Sequence, residues 1–440
     1  MPFGLARPSR IDHSLLLARE GYLFTAQLAD EERRELADTG ALTISLLGRQ
    51  ALLVTGDAGV RLFYDEGRVQ RRRAVPAPIG LSLFGPGAVH ALDDDAHRHR
   101  KSMFRDALTQ ADVERLLEVA ERRWRSELES WTEAGSGEVY AAAVDVFGAS
   151  VIEWAGIREP EEQAREHARW LARIVDGFGV PGPAYVRAAG ARRRCDRWAS
   201  ELVRDERAHQ SGDPDSWLAR VAAFVDHDGN PLPERVAAVE LLNILRPTVA
   251  AAWLASFATI ALVEHPHWRN RIREEAEQAS GGAGRIATAF AHEVRRYYPF
   301  VPVLAARARR DFRFAGHVVR KGQRVLLDVY GTNHGSEWED PWSFEPARFL
   351  EADPCTITHY VPQGGGPVDS GHRCPGEGVS NGLVALTVSL LACIDGLDLT
   401  PQDRHFSMRR RPTRPASGTR VSVGGSPSAR GCPVGSQPGS

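Results

Sequence analysis

The sequence predicts a mainly α-helical fold with a minor β-sheet. Amphipathic periodicity near 3.6 residues recurs along most of the chain, and one long, unusually apolar segment crosses its middle. Strand-like alternation is confined to a few short stretches. The composition permits such a fold. The chain has 440 residues, 42% hydrophobic and 25% charged, the balance of a soluble globular protein. A chain of this size can build a core that encloses a large ligand.

In chain order, Thr43–Leu47 and Ala51–Val54 read as strands, with Gly56-Asp57 as the turn signal beside them. From Asp112 to Trp131, residues Val113, Leu116, Leu117, Val119, Ala120 and Trp124 share one side, which predicts a helix. Glu161–Val175, Val186–Ala208 and His265–Gln278 follow the same pattern. Glu234–Val263 is longer and apolar nearly all round, so it is placed through the molecule's centre. Pro247 within it is expected to bend or open the helix, because proline lacks the N–H that the ladder needs. Gly281-Gly282-Ala283-Gly284 is a loop between helices. Phe312–Phe314 and Gln323–Val329, flanking the Lys321-Gly322 turn, complete the small sheet. Val379–Ala392 is a further apolar helical run, and from Gly424 the composition shifts to a disordered Gly/Ser/Pro tail. There is no internal repeat. No GxGxxG opens a βα unit and no P-loop occurs, so nucleotide-binding folds have no support.

Fifty-five basic residues against fifty-seven acidic ones give a net charge of −2, which makes no bulk case for nucleic acid or an anionic membrane. Arginine clusters at Arg71-Arg72-Arg73, Arg192-Arg193-Arg194 and Arg409-Arg410-Arg411 are expected to be solvated faces. Five cysteines, widely spaced and without CxxC, point to a reducing compartment. The N-terminus lacks the pattern of a signal peptide, and the uncharged run Thr248–Val263 is short for a membrane span. A cytoplasmic location is expected.

The most informative stretch is Tyr360-Val361-Pro362-Gln363-Gly364-Gly365-Gly366, continuing through Gly371-His372-Arg373-Cys374-Pro375-Gly376-Glu377-Gly378. Its cysteine follows a glycine-rich loop and precedes a helix, where backbone N–H groups and the dipole favour a thiolate. Flanking glycines let a flat macrocycle approach the backbone. Upstream, Glu293 and Arg296 lie three apart on one helical face, and Phe344-Glu345-Pro346-Ala347-Arg348-Phe349 supplies another arginine. In this order and spacing, the set resembles the cytochrome P450 superfamily. The resemblance implies a triangular helical prism around haem b, formed as a single domain over residues 1–423 with 424–440 as its tail. It makes Cys374 the axial thiolate and the metal ligand. Glu293, Arg296 and Arg348 become the structural triad behind the haem, and His372, Arg373, Gly376, His97, Arg100 and Lys101 its other contacts.

The sequence departs from the common P450 pattern in its central helix. The acid–alcohol pair that handles protons for bound oxygen is absent, and Glu240-Leu241-Leu242-Asn243-Ile244-Leu245-Arg246-Pro247-Thr248 stands there instead. No phenylalanine sits seven residues before Cys374. A guanidinium on a buried helix keeps its proton and needs an anion. A haem propionate or an internal carboxylate would serve; so would a substrate carboxylate bound bidentately. Arg246-Pro247, the Gln363-to-Gly366 loop and Gly371-to-Glu377 together resemble the fatty-acid peroxygenase branch. Leu83-to-His90, His97-to-Lys101, Asp176-Gly177-Phe178-Gly179 and Tyr330-to-His334 are similar to that branch as well.

That resemblance implies a peroxygenase that uses hydrogen peroxide as co-substrate on long-chain fatty acids, with no redox partner. The fatty-acid carboxylate, paired to Arg246 in the room left by Pro247, would do the acid–base work of the missing residues. Anchoring it would bring the α and β carbons to the oxidant, giving hydroxylation, with decarboxylation to terminal alkenes as a further outcome. Leu83, Phe84, Val175, Phe178, Phe300 and Val303 are the candidate channel lining. His90 is a candidate proton donor or relay, since the matching position in this branch is glutamine or histidine. Two other readings remain: a ferredoxin-dependent monooxygenase, and a non-catalytic haem protein that carries or senses fatty acids.

Overall fold

The computed structural model describes residues 12–178, 182–210, 212–278, 282–400 and 405–424. Gly179, Gly281, Cys432 and the Gly/Ser/Pro tail from residue 425 lie outside the described residues. Helices dominate, as the periodicity predicts, and the predicted helices appear within a few residues of their expected ends: Gln110–Ala134, Glu161–Asp176, Pro183–His209, Glu234–Glu264, Pro266–Gln278 and Glu377–Ala392.

The central helix Glu234–Glu264 runs through Pro247 without interruption, so the proline does not end the helix. Its length explains this. Almost every residue from Ala237 to Leu262 is buried, so packing along the whole helix outweighs a local proline cost of about 3 kcal/mol. Around it pack Val139–Trp154, Pro183–His209 and Glu377–Ala392, which form one large core with Trp253 and Phe257 fully buried. By length and composition this helix could cross a membrane, but 83% of its most apolar window is buried inside the protein, the placement of a core helix.

The main sheet has five strands in the order Ala41–Leu46, Arg49–Val54, Arg324–Asp328, Val303–Ala308 and Val69–Gln70. The first two form an antiparallel hairpin, Arg49–Val54 pairs parallel to Arg324–Asp328, and the remaining pairs are antiparallel. Val303–Ala308 has an alanine-rich sequence with little β-branching, so alternation did not reveal it. Its pairing with Arg324–Asp328 makes it a strand.

The arginine clusters are only in part the solvated faces expected of them: Arg72, Arg73, Arg193, Arg194 and Arg409 are exposed, and Arg71, Arg192, Arg410 and Arg411 are not. Arg72 and Arg73 are exposed, but Arg71 donates to the Phe63 carbonyl at 2.9 Å with its guanidinium 4.2 Å over the Phe63 ring. Arg192 is buried. Arg409 pairs with Glu20 at 2.9 Å, Arg410 pairs with Asp176, and Arg411 donates to the Leu17 and Ala18 carbonyls at 2.6 and 2.8 Å. A guanidinium can span several carbonyls and carboxylates, so these clusters tie separated segments together.

Candidate functional site

The loop before Cys374 is shaped by glycine. Gly364 has φ +94°, and a Cβ there would meet the Tyr64 hydroxyl at 2.7 Å. Gly366, at φ +76°, packs its backbone against the Tyr64 ring. The loop therefore lies flat on Tyr64, and the Cys374 N–H donates to the Gln363 carbonyl at 3.2 Å. Helix Glu377–Ala392 begins directly afterwards, with Gly376 as its N-cap. Burial pushes the Cys374 thiol up, while the Gly376 amide, Arg295 and Lys101 pull the other way. A thiol this enclosed is held as thiolate when a metal cation takes up its charge.

The surrounding ionic frame is rigid. Glu377 pairs with Arg295 and accepts from Arg373 Nε at 2.7 Å, and Arg295 also donates to the Gln363 amide oxygen at 2.6 Å. Glu293 and Arg296, both fully buried, form a bidentate pair with two contacts of 2.7 Å. Arg296 then donates to the carbonyls of Asn333, Pro341 and Ser343 at 2.8, 2.9 and 3.0 Å. Arg348 completes the predicted triad, with its Nε 3.7 Å from Glu293. This network joins the helix Arg285–Tyr297 to the segment leading into the cysteine loop. It faces away from solvent and holds no group free for chemistry.

His97 and His372 stack with ring centroids 3.8 Å apart, and His372 lies 3.7 Å from Asp93. The His97 Nδ1 atom is buried without a hydrogen-bond partner among the described residues. Burial, with His372 and Lys101 adding repulsion, holds His97 down to about 3. A haem fits these residues: an enclosed thiol, a flat glycine loop and an orphaned imidazole nitrogen could together hold it. Two of the predicted contacts also pair with carboxylates of the protein. Arg100 Nη1 is committed to Glu240 at 2.8 Å, and the Arg373 side chain turns to Glu377, because each has a buried carboxylate within reach. Lys101 donates to the carbonyls of Gly371 and Arg373, so it fixes the cysteine loop.

On the central helix, Arg246 is 4% exposed and pairs with no carboxylate among the described residues. Its Nη1 donates to the Leu83 carbonyl, and its guanidinium carbon sits 5.7 Å from the Phe84 ring centroid. Phe84 stacks in turn on His90, centroids 4.1 Å apart and 20° from parallel. Burial, with Arg192 repelling, pushes Arg246 down to about 9, which leaves it cationic at neutral pH. The His90 residue is exposed at its surface, and desolvation by the dense protein around it, then Arg246, pushes it down to about 3. It is thus a neutral imidazole near pH 7, able to donate or accept a hydrogen bond.

The predicted channel residues divide. Leu83 and Phe84 meet Arg246 directly. Val175 is buried in the main core and Phe300 packs at its edge, its carbonyl accepting from the Tyr22 hydroxyl at 2.5 Å. Phe178 and Val303 are half-buried, the latter paired with Asp328 across the sheet. The sequence reading missed Glu240 as a structural hub, and it missed Asp93, Arg71 and Arg192. Asp93 opens the run Asp93-Asp94-Asp95 and is the first acid after Glu66, and nothing in that pattern singles it out from its neighbours.

The cytochrome P450 family profile matches residues 248–404. The structure of cytochrome P450SP alpha (CYP152B1) in complex with (R)-ibuprofen aligns with a TM-score of 0.86 at 33% identity, covering 94% of this chain and 98% of that one. The chain belongs to the cytochrome P450 family. Similar, too, are cytochrome P450EX alpha (CYP152N1) with myristic acid and a variant of cytochrome P450 OleT in complex with arachidonic acid. Their TM-scores are 0.86 and 0.87 at 33% and 30% identity, each with 95% of this chain covered and 99% and 98% of theirs. Among more distant relatives, abscisic acid 8'-hydroxylase 3 of Oryza sativa subsp. indica is 25% identical over 67% of this chain. That match spans 62% of the rice protein's own length. Human cytochrome P450 26C1 is 25% identical over 78% of this chain and 74% of its own. As a P450 the chain is a haem oxidoreductase.

Proposed function

We propose that this P450 is a hydrogen-peroxide-dependent peroxygenase that oxidises long-chain fatty acids at the α and β carbons. Hydroxylation is the main outcome, with decarboxylation to terminal alkenes as a second. One observation carries the reading: Arg246 is a buried guanidinium on the central helix with no carboxylate paired to it among the described residues. A cation in such a place requires an anion from outside. The ligands named for the similar structures, ibuprofen, myristic acid and arachidonic acid, are all carboxylic acids.

Haem, held through Cys374, supplies the oxidising chemistry when bound. The chain's residues do the rest. Arg246 binds the substrate carboxylate through its remaining N–H groups, and the Leu83 carbonyl fixes its direction. The held carboxylate takes a proton from one peroxide oxygen and returns it to the other. Phe84 packs against both Arg246 and His90, so the carboxylate and imidazole share one wall of the site. His90, neutral at working pH, hydrogen-bonds to substrate or water rather than delivering a proton as imidazolium. Because the head group is anchored, the carbons beside it reach the oxidant first.

The test is product analysis by mass spectrometry with a saturated long-chain acid, run with peroxide alone and with a ferredoxin–reductase couple. Hydroxy acids and alkenes from peroxide alone are expected. Product only with the reductase would make the protein a conventional monooxygenase. Spectral binding without product under either regime would make it a carrier or sensor.

A further inference from the structure

Arg192 belongs to an arginine run that looks like a solvated surface, yet it is 4% exposed and reaches the same backbone atom as Arg246. Its Nη1 donates to the Leu83 carbonyl at 3.1 Å, so two guanidinium groups from two different helices converge on one oxygen. Asp196, one turn further along the same helix, contacts Arg192 Nε and Nη2 at 2.8 and 2.7 Å. The turn after Leu83 is built around this arginine. Gly85 has φ +94°, and a Cβ there would collide with the Arg192 guanidinium and lie 2.8 Å from Val239.

From this arrangement we infer that Arg192 and Asp196 form a positioning pair for carboxylate recognition by Arg246. The inference rests on the substrate-carboxylate reading of Arg246. Arg192 immobilises the Leu83 carbonyl, which in turn fixes the rotamer of Arg246. Asp196 compensates the charge of Arg192, so Arg246 is left as the uncompensated cation of the three. The surroundings of the pair fit this division. The charged groups acting on Arg246 are Arg192, which repels it, and Glu240 and Asp196, which attract it. Glu240 is already occupied by Arg100, Asn243 Nδ2 and the Val89 N–H, each at 2.8 Å. Asp196, 31% exposed at its side chain, is the anion whose removal would change the local charge with the least disturbance to the core.

The two members therefore make opposite predictions. In Arg192→Met, the Leu83 carbonyl loses one of two charged donors and Arg246 loses its fixed direction, so fatty-acid affinity falls by about tenfold. In Asp196→Asn, Arg192 is no longer compensated and a second positive charge faces the site, so fatty-acid affinity rises by about threefold. An alcohol of equal chain length carries no charge and should bind both variants as it binds the parent.

The experiment uses the haem-loaded enzyme without peroxide. Dissociation constants for a saturated fatty acid and the matching alcohol are measured by optical titration for the parent, Arg192→Met, Asp196→Asn and Arg246→Ala. The ferrous–CO spectrum confirms a retained thiolate in each. The expected result is an acid-to-alcohol preference that falls in Arg192→Met and rises in Asp196→Asn. Equal weakening of acid and alcohol in both would reduce the pair to a packing contact, and an unchanged preference in both would overturn the inference outright. Arg246→Ala separates the two levels. If it alone loses the acid preference, the carboxylate reading stands and the positioning pair fails; if it keeps that preference, the carboxylate reading itself fails.

Discussion

The Glu240 carboxylate accepts the backbone N–H of Val89 at 2.8 Å, which ties the central helix to the residue directly before His90. The same carboxylate holds Arg100 and Asn243, so one buried side chain fixes three segments around the distal wall. Glu240→Ala would leave the Arg100 guanidinium buried without its partner. Loss of a partner from a buried pair costs about 3–5 kcal/mol. Denaturant unfolding of the haem-loaded protein should show a loss of that order, with Glu240→Gln intermediate because an amide still accepts from Val89. A loss under about 1 kcal/mol in the alanine variant would mean the pair is no more than a solvated contact.

Arg246→Ala removes the cation that the carboxylate needs and leaves Cys374 and its ionic frame untouched. Peroxide-driven fatty-acid oxidation should fall by at least about a hundredfold in kcat/KM, the scale expected when a positioning contact is lost. The ferrous–CO spectrum should remain that of a thiolate-ligated haem. In the parent enzyme an added short carboxylate such as acetate should support peroxide-driven oxidation of a fatty alcohol, and in Arg246→Ala it should not, because the same guanidinium must hold it. Retained fatty-acid oxidation in the variant would sink the anchor role.

His90 lies against Phe84 and is a neutral imidazole, so its influence is directional rather than a matter of charge. His90→Gln keeps a donor and an acceptor but loses the ring that stacks on Phe84. The alkene-to-hydroxy-acid ratio should fall while total turnover changes by less than about tenfold. Product analysis from one saturated acid reads both quantities. An unchanged ratio would leave His90 a packing residue.

Periodicity made the long elements of this fold legible, because helices such as Gln110–Ala134 and Pro183–His209 carry one apolar face each. Val303–Ala308 escaped because a central strand is defined by its neighbours, and its own residues favour nothing strongly. The site divided in the same way. Cys374, the Glu293–Arg296 pair and Arg246 were visible because each is a costly residue type in an improbable setting. Arg192 was not, since Arg192-Arg193-Arg194 reads as uniform charge, and only the helix's orientation shows which of the three turns inward. Likewise, the pairing of Arg100 with Glu240 joins residues 140 positions apart, which no local pattern reveals.

Asp328 provides a test by pH outside the site. It is 4% exposed, and its carboxylate accepts the Gly331 N–H at 2.9 Å to start the short helix Val329–Asn333. Burial pushes its pKa from an ordinary 3.8 to about 6, against the opposing pull of Gly331 and Thr25. Between these values the folded protein holds a proton that the unfolded chain has released. The favourable contribution of this site is therefore complete below the ordinary value and disappears as pH rises through about 6. At neutral pH the charged, buried carboxylate costs about 3 kcal/mol relative to its behaviour well below the ordinary value. Asp328→Asn keeps an oxygen acceptor for Gly331 and does not titrate. Stability of the parent and the variant, measured by denaturant unfolding from about pH 3 to about pH 8, should diverge by up to that amount in the variant's favour. The divergence should be centred between the two values and flat on either side. A difference that stays constant over this range would show that Asp328 ionises in the folded protein as freely as in the unfolded chain.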